Sequence, residues 1–297
     1  AVSLLTLAAV VLLVPMLGIA AWNLASAPRL ERAGEPRPRP RVSLLIPARN
    51  EAENLRVTLP PLLEADLPDL EILVLDDGSG DETADVVLDQ AARSAGRVRL
   101  LRGAALPAGW LGKNWACHQL AEAARGEVLI FCDADVLVHD GAVSRTVAAL
   151  EGEGVGAVTA LPRQRFGSWG EAAVVPLVAH LPVVTLLPLN LVGRIRDPAV
   201  SIANGQWLAF TRAVYDACGG HSAVRGHVVE DVALGRRVKA AGYRLLPMIA
   251  TRLLEVRMYR DVAAIKEGFT KNLYPLLGAR PVPFMTAIAV FLLTAIY

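Results

Sequence analysis

The chain has 297 residues, 54% of them hydrophobic, with Lys plus Arg 30 against Asp plus Glu 29. That length fits one large domain or two small ones, and the balanced charge excludes a polyanionic partner such as nucleic acid. Three cysteines (Cys117, Cys132 and Cys218), with no Cys-x-x-Cys, exclude a disulfide framework and fit core thiols in a reducing compartment.

Residues 1–28 carry no charge and are long enough to cross a bilayer, which takes about 20 apolar residues. The segment is predicted to be a transmembrane anchor; a signal peptide would be shorter, with a basic start. Arg29, Arg32, Arg37, Arg39 and Arg41 follow among alternating prolines. Arginines just past a span mark its cytoplasmic side, and the prolines predict an extended linker over 29–41.

From residue 42 apolar runs alternate with amphipathic ones. Strands are predicted at Val42 to Pro47, Glu71 to Leu75, Val98 to Leu101, Val128 to Cys132 and Gly156 to Ala160. Helices are predicted between them, one capped by Asn50 and running to about Glu64, one capped by Asp81 and ending near Gly96, and one from Asn114 to Arg125. This alternation predicts an α/β fold over 42–260, a mainly parallel sheet flanked by helices on both faces. Residues 172–193 are free of Asp, Glu, Lys and Arg but hold Pro176, Pro182, Pro188 and His180. Two readings stand for this segment, one in the membrane interface and one in a buried core. Residues 261–280 read as an amphipathic interface helix, and 281–297 as the start of a second transmembrane region. Lys266, Lys271 and Arg280 precede that region, so both anchors leave the middle of the chain in the cytoplasm.

Chemistry concentrates at the predicted strand ends. Asp76-Asp77-Gly78-Ser79 follows the second strand and Asp133-Ala134-Asp135 the fourth. Ligands of open α/β sheets bind at the carboxyl ends of strands. Two aspartates one residue apart repel unless a cation or donor groups stabilise them, and a hard divalent ion carrying a phosphorylated substrate does so. Pro47-Ala48-Arg49-Asn50-Glu51 closes the first strand. Lys113 stands where the amides of a helix start also favour anions. Glu230-Asp231 opens an amphipathic run with Arg236, Arg237 and Lys239 on its polar side. Taken singly, these short stretches also read as helix caps, turns and solvated loops.

Their order along the chain resembles the family 2 glycosyltransferases, whose nucleotide-sugar-binding domain is called the GT-A fold. The resemblance runs from about residue 42 to 275. It rests on Pro-Ala-x-Asn-Glu at 47–51, Asp-Asp-Gly-Ser at 76–79, Gly112-Lys113, Asp-x-Asp at 133–135 and Glu230-Asp231. It implies that Pro47, Ala48, Asn50, Glu51, Asp76, Asp77, Lys113, Asp133, Ala134 and Asp135 bind a UDP-sugar. Glu51, Asp76 and Asp77 would accept hydrogen bonds from base and sugar. Lys113 would meet the diphosphate, and Asp135, with Asp133, would hold Mg²⁺ or Mn²⁺ beside it. It also implies that Asp231, assisted by Glu230, is the general base of an inverting transfer, with His227 a rival base or acceptor contact.

Arg257-Met258-Tyr259-Arg260 matches part of a Gln/Arg-x-x-Arg-Trp element of processive relatives, although Asp261 replaces the Trp. The resemblance adds Arg257 and Arg260 to the diphosphate site, and the missing Trp weakens the case for processive synthesis. Trp207 reads either as a stacking platform for the acceptor or as core, and Gly219-Gly220 reads as a tight turn. Trp110-Leu111-Gly112-Lys113-Asn114-Trp115-Ala116 with Arg257-Met258-Tyr259-Arg260 resembles the hydroxycarotenoid (hydroxychlorobactene-type) glucosyltransferase branch. The expectation is therefore metal-dependent transfer of a sugar, glucose by resemblance, to a lipid hydroxyl at the cytoplasmic face of the cell membrane. Ceramide-type and polyprenyl-phosphate acceptors stay open as alternatives. Nucleotidyl transfer is the rival chemistry, disfavoured because 47–51 has one Arg and no glycine.

Overall fold

A computed structural model describes residues 4–35, 40–65, 67, 69–152, 154–177, 181–258 and 268, with side chains from Val10 onward. Two compact units divide it: residues 1–27 with 166–191 and 259–297, and residues 28–165 with 192–258.

The larger unit carries the sheet. Its elements begin with β1 (Val42–Ala48), α2 (Ala52–Leu63), β2 (Leu70–Asp76), α3 (Thr83–Arg93), β3 (Val98–Arg102), α4 (Gly112–Ala123) and β4 (Val128–Cys132), with α1 (Leu4–Ser26) belonging to the other unit. They continue with β5 (Val136–Val138), α5 (Ala142–Leu150), β6 (Val155–Leu161), β7 (Arg163–Gln164), β8 (Trp207–Thr211), α9 (Arg212–Ala217), α10 (Glu230–Ala240), β9 (Arg244–Ile249) and β10 (Leu254–Val256). The main sheet has seven strands in the order β3-β2-β1-β4-β8-β6-β9, and only β8 runs against the rest. The chain walks outward from β1 to β3, then returns to place β4 on the other side of β1. That reversal makes a topological switch point between β1 and β4, where open α/β sheets bind ligands.

Strand side chains alternate between two cores. Leu44, Ile46, Ile72, Val74 and Ile130 face α2, α3 and α5, whereas Leu45, Leu73, Leu129 and Phe131 face α4, α9 and α10. Burial on both faces explains why the central strands read as continuous apolar runs. On α2, Leu55, Leu59 and Leu62 form the buried stripe at helical spacing. A second sheet, β5-β10-β7, pairs β10 antiparallel with β5 and parallel with β7.

Several expectations are corrected. Asn50 does not cap α2: it sits at φ 57°, its backbone N–H donates to Ser79 Oγ (2.9 Å), and its Oδ1 accepts from Gly80 N (2.8 Å). The first amides of α2 are met from a distant turn instead, with Glu51 N donating to Thr83 Oγ1 (2.8 Å) and Ala52 N to Asp81 Oδ2 (3.1 Å). The 29–41 stretch is not wholly an extended spacer. Leu30 is fully buried, Arg29 bridges to Ile249, and Arg145 Nη1 donates to the carbonyls of Glu31 (2.9 Å) and Ala33 (2.7 Å). An apolar side chain and an arginine clamp outweigh the linker composition there. Lys239 is not on the polar side of its helix: it is buried, and its Nζ donates to the carbonyls of Val192 (2.9 Å) and Val200.

In the smaller unit, α1 (Leu4–Ser26) holds no charge and contains Pro15. Over the 172–193 stretch the described helices are α6 (Trp169–Val175), α7 (Leu181–Leu186) and α8 (Leu189–Val192). Asn23 ties α1 to the α7–α8 region: its Nδ2 donates to the carbonyls of Val184 and Leu187, and its Oδ1 accepts from Leu189 N. Among the described residues no helix is long and apolar enough to cross a membrane. His180, the 261–280 interface helix apart from Gly268, and the 281–297 anchor lie outside the described residues.

Candidate active site

The ends of β1, β2 and β4 meet because Ala48 pairs with Asp76 and Leu45 with Phe131. Pro47 to Glu51, Asp76-Asp77 and Asp133 to Asp135 therefore converge at one edge of the sheet. The loop before β8 and the start of α10 complete the site. Lys113, in the first turn of α4, is the junction. Its Nζ lies 2.8 Å from Asp133 Oδ1 and 3.3 Å from Glu230 Oε1. Burial works against the ammonium, yet the two carboxylates outweigh it and hold its pKa well above the ordinary lysine value. Asp231 Oδ2 accepts from Gly205 N at 2.8 Å and its Oδ1 from Val232 N at 2.7 Å. A Cβ on Gly205 would lie 3.2 Å from Lys113 Nζ, 3.5 Å from Glu230 Oε1 and 3.6 Å from Asp231 Oδ2, so a side chain there would crowd the lysine end of this junction. Pro47, Lys113, Asp133, Gly205, Glu230 and Asp231 share one small cavity, floored by Phe131, Leu208 and His221.

The acids differ in electrostatics. Asp135 is pushed up to about 7, first by burial and then by Asp133 and Glu51. Asp231 is pushed up to about 6 by burial and by Glu230, against the pull of Lys113 and its two amide donors. Asp76 is buried, which raises its pKa, but hydrogen bonds from Ser79 and the Arg102 guanidinium hold it below its ordinary value. That carboxylate is already satisfied by the protein. Asp77 is half-buried and shifted upward by burial, against Arg49. Its oxygens lie 3.2 Å and 3.3 Å from where Cβ atoms on Gly103 and Gly112 would stand, so two glycines open the space around it. Of the two, Asp77 is the acid that faces open space. Glu51 accepts from Asn54 Nδ2 at 2.6 Å.

The donor set fits a divalent cation. Asp135 Oδ1 is buried without a hydrogen-bond partner, an arrangement a bound cation would relieve. Among the described residues no group of three or more His, Cys, Asp or Glu is placed to hold a metal ion. Asp135 and Asp133 are the residues that would hold such an ion, with substrate phosphates supplying further oxygens, the usual pattern for Mg²⁺.

Trp207 is corrected to a core residue. It is fully buried and its Nε1 donates to Thr146 Oγ1 at 3.0 Å, so its ring cannot stack on an acceptor. His227 is exposed on the loop leading to Glu230, and its carbonyl accepts from Asn114 Nδ2 at 3.0 Å. Arg257 is exposed. The antiparallel pairing of Val256 with Val136 sets it opposite Asp135 in register. Arg260 lies outside the described residues. Gly219 and Gly220, at φ 78° and 50°, form the expected turn, which ends on the buried His221. Gly205 and Asn114 are site residues that the motifs do not single out. Only the small loop Asn204-Gly205-Gln206 before an apolar strand signals the first.

A model of the family described as "Glycosyl transferase family 2" matches residues 43–216. The chain belongs to that family. It is 28% identical over 259 residues to 4,4'-diaponeurosporenoate glycosyltransferase of Staphylococcus aureus (strain USA300), covering 86% of this chain and 66% of that protein. The chain thus spans just under two thirds of the length of that relative. Among solved structures, the mannosyltransferase PcManGT from Pyrobaculum calidifontis, in complex with GDP-Man and Mn²⁺, aligns with a TM-score of 0.64 at 22% identity, over 96% of this chain and 76% of that one. S. aureus TarS 1-349 in complex with UDP-GlcNAc aligns at 0.51 and 14% identity, over 76% and 60%. At these identities the likeness supports a shared α/β GT-A-like fold.

Proposed function

We propose that the chain transfers a sugar, glucose in the first instance, from a UDP-sugar to a hydroxyl of a carotenoid-like lipid. The observation that carries this reading is the orphaned Asp135 carboxylate, joined through Asp133 and Lys113 to the Glu230-Asp231 pair. Donor-side and base-side acids thereby share one junction. Asp77 and Glu51 are assigned to the nucleoside, and Lys113 and Arg257 to the diphosphate. A divalent cation held by Asp135 and Asp133 neutralises charge on the leaving diphosphate when bound. Asp231 takes the acceptor proton as the oxygen attacks the anomeric carbon, the bond to the diphosphate breaks, and the configuration inverts. A pKa of about 6 leaves Asp231 ionised at pH 7 yet basic enough to accept a proton. The acceptor in the relative's name is a carboxylate, which would already be ionised and need no base. The buried, elevated Asp231 favours a hydroxyl here.

Membrane attachment through residues 1–28, with catalysis on the cytoplasmic face, belongs to the same proposal. It is supported by the uncharged α1, by exposed Val11, Leu17 and Leu24 along it, and by the arginines that follow. The test is a screen of radiolabelled sugar nucleotides against lipid extracts and defined hydroxycarotenoids, with parent and Asp135→Ala proteins. Labelled lipid from a UDP-sugar, lost on adding EDTA and in the variant, is expected. Conversion of the UDP-sugar to labelled sugar 1-phosphate and UTP on adding pyrophosphate would establish nucleotidyl transfer instead, and metal-independent transfer would remove the cation from the reading.

A further inference from the structure

Thr58 belongs to none of the motifs; it stands in the middle of α2 and is buried. Its hydroxyl lies 2.9 Å from the carbonyl of Ala134 and 3.1 Å from the carbonyl of Asn54, one turn back in its own helix. Ala134 is itself buried and is the middle residue of the acidic turn. Its carbonyl belongs to the peptide unit whose N–H is that of Asp135. Whatever fixes that carbonyl fixes the plane from which the Asp135 side chain departs.

The same face of α2 does a second task. Residues 51, 54 and 58 lie along one stripe at helical spacing. Asn54 Nδ2 holds Glu51 Oε2 at 2.6 Å, and Glu51 is close enough to Asp135 to raise its pKa. One helix face therefore orients both the acidic turn and the acid that presses on it. Asp135 Oδ1 remains without a hydrogen bond, so the protein places this oxygen through the backbone and not through a direct contact.

We propose that Thr58 is the positioning residue of the cation site: by holding the Ala134 carbonyl it sets the direction of the Asp135 carboxylate. The inference rests on the proposed function, in which Asp135 binds a divalent ion with the donor diphosphate. Groups that orient a metal ligand from behind typically change metal affinity by 10- to 100-fold when removed. Threonine suits the task because its methyl packs in the core while its hydroxyl reaches the turn. Valine matches its shape and lacks only the donor.

The experiment is titration of Mn²⁺ into the full chain with UDP present, read by the electron paramagnetic resonance of free Mn²⁺. Parent, Thr58→Val and Thr58→Ser are compared, with thermal unfolding of each measured without metal. Thr58→Val is expected to weaken Mn²⁺ binding by roughly 10-fold or more, and Thr58→Ser, which keeps the hydroxyl, to stay within about 3-fold of the parent. Parent-like Mn²⁺ affinity in Thr58→Val overturns the inference while leaving the cation reading intact. Equal weakening in Thr58→Ser and Thr58→Val also overturns it, because packing and not the hydroxyl would then matter. No Mn²⁺ uptake by the parent overturns the cation reading and this inference with it. Should Thr58→Val not fold, Thr58→Ala, which also removes the hydroxyl, is compared with Thr58→Ser in its place, and parent-like Mn²⁺ affinity in Thr58→Ala overturns the inference.

Discussion

Asp231→Asn separates catalysis from stability, because the same buried charge that serves as base is a burden on the fold. Asp231 is raised from its ordinary 3.8 to about 6, with burial and Glu230 the main causes. At 1.36 kcal/mol per pH unit, keeping it ionised costs the folded state about 3 kcal/mol. A carboxyl that binds its proton more tightly when folded adds stability below its unfolded pKa. That contribution is lost as pH rises through the folded value. The parent should therefore lose up to about 3 kcal/mol from this residue between pH 4 and pH 7, and Asp231→Asn should not. Asparagine is not free of cost. Both carboxylate oxygens accept backbone N–H groups, from Gly205 and Val232, and the amide nitrogen must face one of them. A lost hydrogen bond of that kind offsets about 1 kcal/mol. Urea unfolding in detergent at pH 4.5 and pH 7.5 should show the variant less stable than, or equal to, the parent in acid and more stable by about 1–2 kcal/mol at neutral pH. Transfer to a hydroxyl acceptor at pH 7.5 should fall by about 10²–10⁴-fold with UDP affinity unchanged. A stability difference that does not vary with pH would refute the electrostatic argument. Transfer at the parent rate would refute Asp231 as the base.

The remaining predictions concern the residues found only in the structure. Gly205→Ala puts a methyl 3.2 Å from Lys113 Nζ without touching the backbone fold, so it should unfold within about 1 kcal/mol of the parent. Its transfer rate, measured as label in the lipid fraction, should drop by up to about 100-fold, since small displacements of the reacting groups carry that penalty. Asn114 is buried and its Nδ2 lies 2.9, 3.1 and 3.0 Å from the carbonyls of Val224, Arg225 and His227. Asn114→Ala should cost about 1–3 kcal/mol in urea unfolding, and Asn114→Asp should cost more, because it turns an acceptor toward three acceptors.

Local patterning carried a large part of this protein. Continuous apolar runs bounded by polar turns determined β1, β2 and β4 to within a residue or two, because strands buried on both faces need unbroken hydrophobicity. The order of the acidic turns determined the family, and the open strand ends determined where the chemistry sits. Three things needed the tertiary structure, each for the same reason: the partner lies far along the chain. Asn50 looked like a cap until a turn 29 residues away took over the α2 amides and Asn50 folded into that turn. Trp207 and Lys239 carry side chains suited to surfaces or ligands, but Thr146 and two loop carbonyls satisfy their polar ends inside the core. Lys113, Gly205 and Asp231 become one junction only when α4, the loop before β8 and α10 close over the ends of β1 and β4, and no spacing in a sequence encodes that distance.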